Sequence, residues 1–343
     1  MAKSRLAPAP VVESKETASR SGRLAGLAGS WDLALRFGLL GIIVVLAIFF
    51  TVAASGFATI GNAQNIGRQM AVTGVIAVGE TFVIITAGID LSVGSLLGLA
   101  GVVAGIELLH GWPLALAVFT PLLLGLLIGL FNGALVDAAK LPPFIVTLGM
   151  LGILRGLAII GGAGQQIALG SSPLTDFAQN TVFGPNGIPN LFLVLLVVGI
   201  IAEVVLRFTR RGRYVYALGS NAEGTRRAGI NVRATILTVY GISGLLAGLA
   251  GIMLTARQSQ GDPNAGVGYE LDAIAAAVLG GASLFGARGS IVGTFLGVLL
   301  VAIIQNGLDL MGVDPQVARM VAGALLIAIV WLDQLRKRYL SLA

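Results

Sequence analysis

Two carboxylates, Glu80 and Asp90, stand in the stretch GETFVIITAGIDLSVGS at residues 79–95, where the other side chains are apolar, small or hydroxylated. Acids in such a setting can pair with a buried cation, accept hydrogen bonds from hydroxyls or cap backbone amides. Hydroxyl partners are at hand in Thr81, Thr86 and Ser92, and Arg155 is a basic residue at comparable depth in another apolar run. Ten residues of helix would turn the two acids about 280° apart. Gly88 is placed to break the helix between them. They are therefore not expected to form one paired-carboxylate site. Asp90 reads as a structural turn residue, with Gly88, capping the amides that open the next helix near Ser92. The turn has no Lys or Arg, which places it inside protein. Glu80 is the acid left for function, either as partner of Arg155 or in the polar wall of a pathway with Thr81, Thr86 and Ser92.

Other chemistry is scarce. With no cysteine, disulfides, thiolate catalysis and Cys-based metal sites are excluded. The single histidine, His110, reads as a polar residue at a membrane–water boundary. The sequence contains no G-x-x-x-x-G-K-[ST] loop, no H-E-x-x-H and no G-x-S-x-G elbow. GGAGQQ at 161–166 reads as a turn, and an enzyme reading finds no support.

The elements that must position these residues follow from composition. Of 343 residues, 56% are hydrophobic and 11% charged, and the mean hydropathy is +0.92. Such a chain lacks the polar surface of a water-soluble globule and reads as an all-α polytopic membrane protein. Its 49 glycines suit helices that approach closely where lipid supplies no hydrophobic drive between them. Apolar runs of spanning length fall at 33–54, 66–87, 91–109, 113–136, 144–162, 190–208, 235–256, 270–286, 290–309 and 316–332, about ten transmembrane helices. Residues 1–30, rich in Ala, Ser, Pro, Lys and Arg, read as a disordered basic cytoplasmic tail. The first apolar run is too long and too late for a cleaved signal peptide and is expected to be retained. The transmembrane domain then covers 31–335, and 336–343 is a second cytoplasmic tail.

Positive charge orients the bundle. An N-in, C-in arrangement places 18 of the 22 Lys and Arg inside, the exceptions being Arg68, Arg155, Arg257 and Arg319. The longest inside segment, about 209–234, contains Ser220 and Glu223 at capping-box spacing, Arg226 and Arg227, and Gly229 placed to end a helix. It reads either as a solvated basic loop or as a short docking helix for a partner inside the cell. GSLLG at 94–98 and GSIVG at 289–293 hint at a repeat, as do Asn132 and Asn306, but their spacings disagree and support no argument about fold.

Four stretches resemble the permease subunits of ribose-type ATP-binding-cassette (ABC) importers: AVGETFVIITAGIDLSVGSLLGLAG (77–101), LPPFIVTLGMLGILRGLAII (141–160), RYVYALGSNAEGTRRAGINV (213–232) and ELDAIAAAVLGGASLFGARGSIVGTFLGVLLVAIIQNGL (270–308). The likeness runs from about residue 35 to 335. Branched-chain amino acid permeases belong to the same superfamily but usually lack the GIDLSVGS form. The resemblance implies the ABC importer permease fold in a bacterial inner membrane. It also implies a second permease copy, a cytoplasmic ABC ATPase that holds ATP and Mg, and a periplasmic or lipoprotein receptor delivering a monosaccharide or polyol. This chain itself would bind no cofactor and no nucleic acid. Ser220, Asn221, Glu223, Arg226, Arg227 and Gly229 fall where such a permease presents its coupling helix to the ATPase. The pathway is expected to be only weakly polar, because a permease that held sugar tightly could not release it. An ion-coupled secondary transporter, with Glu80 and Asp90 as proton or cation sites, is the rival class.

Overall fold

The computed structural model describes residues 38–314 and seven helical positions between 317 and 331. The 1–30 and 336–343 tails, the start of the first expected span and most of the tenth lie outside the described residues.

Chain order sets the elements out as follows. A first helix, α1 (Gly38–Ala53), is short and apolar. It is followed by α2 (Ile60–Ile85), α3 (Val93–Leu109), α4 (Leu114–Ala138) and α5 (Pro143–Gly161). A region of two-residue strands comes next, β1 (Ile167–Ala168), β2 (Thr181–Val182) and β3 (Ile188–Pro189), with α6 (Pro173–Gln179) between the first two. The remainder is α7 (Asn190–Phe208), α8 (Arg210–Ser220), α9 (Ala222–Arg227), α10 (Val232–Gln258), β4 (Gln260–Gly261), α11 (Tyr269–Leu279) and α12 (Ile291–Leu310). β1 pairs antiparallel with β4, and β2 with β3.

The described fold is helical, and six of its helices, α2, α4, α5, α7, α10 and α12, are long and apolar enough to cross a membrane. That is fewer than the ten runs read from hydropathy. The clearest departure is the expected span at 270–286. Its helix α11 has 11 residues, about 16 Å of rise, which is too short to cross the hydrocarbon. The apolar run continues, but its backbone does not: Gly281 sits at φ +96, and a side chain on Gly280 would strike the Gly293 backbone. Residues 280–290 therefore turn and fold back, with the Ser283 amide donating to the Arg288 carbonyl at 3.0 Å. The third run is also short, 17 residues in α3, because the chain opens that helix only after the turn at Asp90.

Hydropathy and burial run in opposite senses among the long helices. α2 has mean hydropathy 1.4 and its apolar core is 89% buried, whereas α4 and α7, at 2.5 and 2.7, are each 22% buried. A helix enclosed by protein can carry polar and small residues, while one facing lipid must be apolar around most of its surface. Thus α2 is the central helix, with Phe82, Ile76, Ile84 and Ile85 among its fully buried side chains.

The closest pairing joins α4 to α10. Pro121, Gly125, Gly129 and Gly133 recur every four residues on α4, and Tyr240, Gly244 and Gly248 do so on α10. A side chain on Gly125 would run into the Gly244 carbonyl, on Gly129 into the Tyr240 carbonyl and on Gly248 into the Pro121 carbonyl. The two backbones therefore touch along three turns, which only small residues permit. Gly152 on α5, by contrast, has open space beside it. Gly129→Leu is expected to lower the thermal midpoint of the detergent-solubilised chain by the equivalent of about 1–3 kcal/mol, the usual cost of overpacking. Gly152→Leu should leave the midpoint near the parent value in the same melting assay.

Candidate functional site

The chain between α2 and α3 is held by one carboxylate. α2 ends at Thr86, whose hydroxyl donates to the Val83 carbonyl at 2.7 Å, and Ala87 follows at φ +62. Gly88 lies so close to the Tyr240 hydroxyl oxygen and Val83 that a side chain there would crowd both. Asp90 Oδ1 then accepts the Ser92 amide at 3.1 Å and the Ser92 hydroxyl at 2.6 Å. Its Oδ2 accepts the Ser243 hydroxyl of α10 at 3.0 Å. Asn132 of α4 donates to Ser92 Oγ at 3.0 Å. All four residues are buried. Asp90 thus caps the opening of α3 and ties α3, α4 and α10 to the α2 turn.

Glu80 lies one and a half turns before the end of α2, with 0% of its surface exposed, no side-chain partner among the described residues for its carboxyl group and the Asp90 backbone as its neighbouring donor. Its electrostatic neighbours are Asp90 and Glu270. The ion pair with Arg155, one of the two roles open to Glu80, is not formed. Arg155 instead donates through Nη1 to the Pro263 and Ala265 carbonyls, each at 2.8 Å, and its acidic neighbours are Glu270 and Asp262. Similar depth in two helices was not enough to pair them. The segment before α11 reaches Arg155 first, because its carbonyls lie outside any helix and need donors. Thr81 donates to the Ala77 carbonyl and bonds Thr294 of α12 at 2.7 Å. Thr81 and Ser92 are therefore buried between helices, while Thr86 is half-buried at a helix end.

On the other side of this turn lies the 209–234 segment. It forms two helices rather than one. Thr209 caps α8, accepting the Gly212 amide at 3.2 Å. Ser220 is the last residue of α8, so the capping box expected between Ser220 and Glu223 is not made. Asn221 is the cap of α9, accepting the Gly224 amide at 2.8 Å. Asn is as strong a cap as Ser, so residue type alone does not choose between the two positions. Glu223 is instead joined to Arg227 one turn along. Gly229, at φ +78, ends the helix, with the Ile230 amide returning to the Thr225 carbonyl at 3.3 Å, the six-to-one bond of a glycine-terminated helix. Asn221, Glu223, Arg226 and Arg227 are exposed, whereas Thr225 is buried.

The end of α8, just before α9, touches the membrane helices through backbone. A side chain on Gly219 would run into the Ile85 carbonyl, and Gly286 lies against Gly219. The Ala287 amide donates to that same Ile85 carbonyl at 2.9 Å, and Tyr216 donates to the Gly289 carbonyl at 2.8 Å. The end of α8, the end of α2 and the 280–290 turn therefore meet at one point. Beside it is a cavity of about 410 Å³ lined by Thr86, Gly88, Asp137, Lys140, Asn221 and Arg226, with Tyr240 in its wall.

Residues 62–330 match a family model described as branched-chain amino acid transport system / permease component. The chain belongs to this permease family. The permease is 43% identical to the ribose import permease protein RbsC of Escherichia coli (strain K12), over 86% of its own chain and 92% of that protein. It is 40% identical to the Haemophilus influenzae RbsC (84% and 89%), and 37% identical to the E. coli K12 xylose transport system permease protein XylH (91% and 95%). No solved structure matches it. Six long apolar helices and these relatives make the chain a multi-pass membrane permease.

Ser243, Tyr240 and Thr294 belong to no motif in the sequence, and Asn132 is read only as part of a possible repeat. Each is a polar residue inside an apolar helix, which is the signal that marks them; only the fold shows that they converge. A hydrogen bond to a charged acceptor contributes about 1.5–3 kcal/mol. Asp90→Ala is expected to destabilise the permease by more than Ser243→Ala, with Asp90→Asn between them, in thermal melts followed by size-exclusion chromatography.

Proposed function

We propose that the permease is the membrane-spanning subunit of an ABC importer and forms the inward path of a monosaccharide. One observation carries the reading: similarity across nearly the whole of both chains to permeases named for ribose and xylose. The partners it calls for are a cytoplasmic ATPase holding ATP and Mg, an extracytoplasmic sugar receptor and a second permease copy. A single copy lacks the symmetry that a pair of ATPases would require. The site of action is the bacterial inner membrane, N-in and C-in, an orientation supported by the arginines gathered around α8 and α9.

Ser220 to Gly229 is then the ATPase contact. A six-residue helix capped at Asn221 and ended by Gly229 transmits force better than a mobile loop, and its anchored side leads to the Ile85–Gly219–Gly286 meeting point. Glu80, Asp90 and Ser92 lie behind that point and out of contact with solvent, which favours a role in holding and moving helices over one in gripping cargo. The family description names branched-chain amino acids, so these are the second substrate class. Uptake of radiolabelled ribose, xylose and leucine by cells expressing the permease with its ATPase and receptor separates the two. Entry of a pentose that survives a protonophore and stops on ATP depletion is the expected result; the reverse dependence would remove the ABC reading in favour of ion coupling.

The exposed Glu223–Arg227 pair contributes little to stability. Arg227→Glu and Asn221→Ala are therefore expected to leave the permease inserted and folded. Both should lower the amount of ATPase that copurifies with it and the uptake per ATP hydrolysed, and unchanged values for both variants would exclude α9 as the contact.

A further inference from the structure

Two of the basic residues that break the charge asymmetry, Arg68 and Arg257, come together at the far end of the bundle from α9. Arg257 closes α10 and donates to Asn65 Oδ1 of α2 at 3.4 Å, with Arg68, Tyr269 and Asp309 as its polar neighbours. Arg68 donates to the Gln179 carbonyl at 2.8 Å, while its Nε has no partner. Next to them a chain of side-chain bonds crosses three helices. Gln69 of α2 donates to Gln305 Oε1 of α12 at 3.0 Å, and Gln305 Nε2 donates to Asp272 Oδ2 of α11 at 2.8 Å.

Depth and exposure together give this strip meaning. Gln305 lies five residues before the end of α12 and Gln69 nine residues after the start of α2, roughly 8 and 14 Å from those helix ends and about one turn inside the apolar runs 290–309 and 66–87. Gln69, Asp272 and Gln305 are half-buried, not sealed in. Amides and carboxylates that keep surface near the ends of packed spanning helices are more stable facing water between the helices than facing lipid. The formal charges cancel, Arg68 and Arg257 against Asp272 and Asp309, which suits a neutral ligand better than an ion. Adjacent donors and acceptors about 3 Å apart match the vicinal hydroxyls of a polyol, each of which both donates and accepts. Where the pathway is water-lined, contacts of this kind bind weakly enough to release.

We propose that this strip, centred on Gln69, Gln305 and Asp272, is the contact surface for a neutral monosaccharide at the extracytoplasmic mouth of the pathway. The inference rests on the sugar-importer reading above. The absence of native cysteine makes a direct test simple. Gln69→Cys, Asp272→Cys and Gln305→Cys are placed singly in the permease coexpressed with its ATPase and receptor, and intact cells or spheroplasts are treated with a membrane-impermeant maleimide. Leu123→Cys and Phe131→Cys, exposed apolar positions of α4, serve as lipid-facing controls. The three strip positions should label, the controls should not, and transport of ribose or xylose should slow labelling at the strip. In parallel, Gln69→Ala and Gln305→Ala should each lower sugar uptake by about 3–10-fold, one hydrogen bond's worth, while receptor-stimulated ATP hydrolysis persists. Unreactive cysteines, or cysteines indifferent to sugar in variants that transport normally, would overturn the proposal. The two readings fail separately: uptake of neither pentose by the unsubstituted complex sinks the sugar assignment itself, whereas normal uptake with unprotected cysteines sinks the strip alone.

Discussion

A chain that turns between two buried helices leaves backbone groups that neighbouring protein must satisfy, and the rest of this structure depends on how the turn at residues 86–92 is closed. Asp90 closes it with one side chain. Its two oxygens take an amide and two hydroxyls from α3 and α10, and Ser92 passes the contact on to Asn132 of α4. The carboxylate is costly to bury alone, but with three donors it becomes a fastening point for four helices. Remove it and the start of α3, the end of α2 and the α4–α10 pair lose their common register.

The glycines make that fastening reachable. Because α4 and α10 meet backbone to backbone through Gly125, Gly129, Gly244 and Gly248, Asn132 and Ser243 are brought to opposite sides of Ser92 and Asp90. Short side chains then span the remaining gaps. Had the two helices been separated by leucines, neither hydroxyl nor amide would reach. Close packing and buried polarity are thus one design: small residues bring the backbones together, and the polar groups specify the register at which they stop.

The same economy joins the exposed helices to the buried ones. Gly219, Ile85 and Gly286 touch through backbone, and the Ile85 carbonyl accepts its bond from Ala287 instead of from a helical neighbour. No long, flexible side chain intervenes, so the end of α8 is held rigidly against the end of α2 and the 280–290 turn.

Much of this was legible in the residues. The membrane class, the long spans at 113–136, 144–162 and 190–208, the turn at Gly88–Asp90 and the end of a helix at Gly229 all rest on local physics: apolar run length, helix-breaking glycine, a short acid beside a serine. The permease family was legible too, from motifs such as GIDLSVGS. Three things were not. The run at 270–286 is apolar enough to span but folds back at Gly280–Gly281, because close approach of the Gly293 backbone, and not hydropathy, decides where that helix stops. Asn221 rather than Ser220 caps α9, since α8 extends through Ser220 and takes it out of reach. Arg155 serves the Pro263 and Ala265 carbonyls and leaves Glu80 without it. Depth along a helix is written in the sequence; the direction in which a side chain faces, and the competitor it meets first, are decided only when helices far apart in the chain pack against one another.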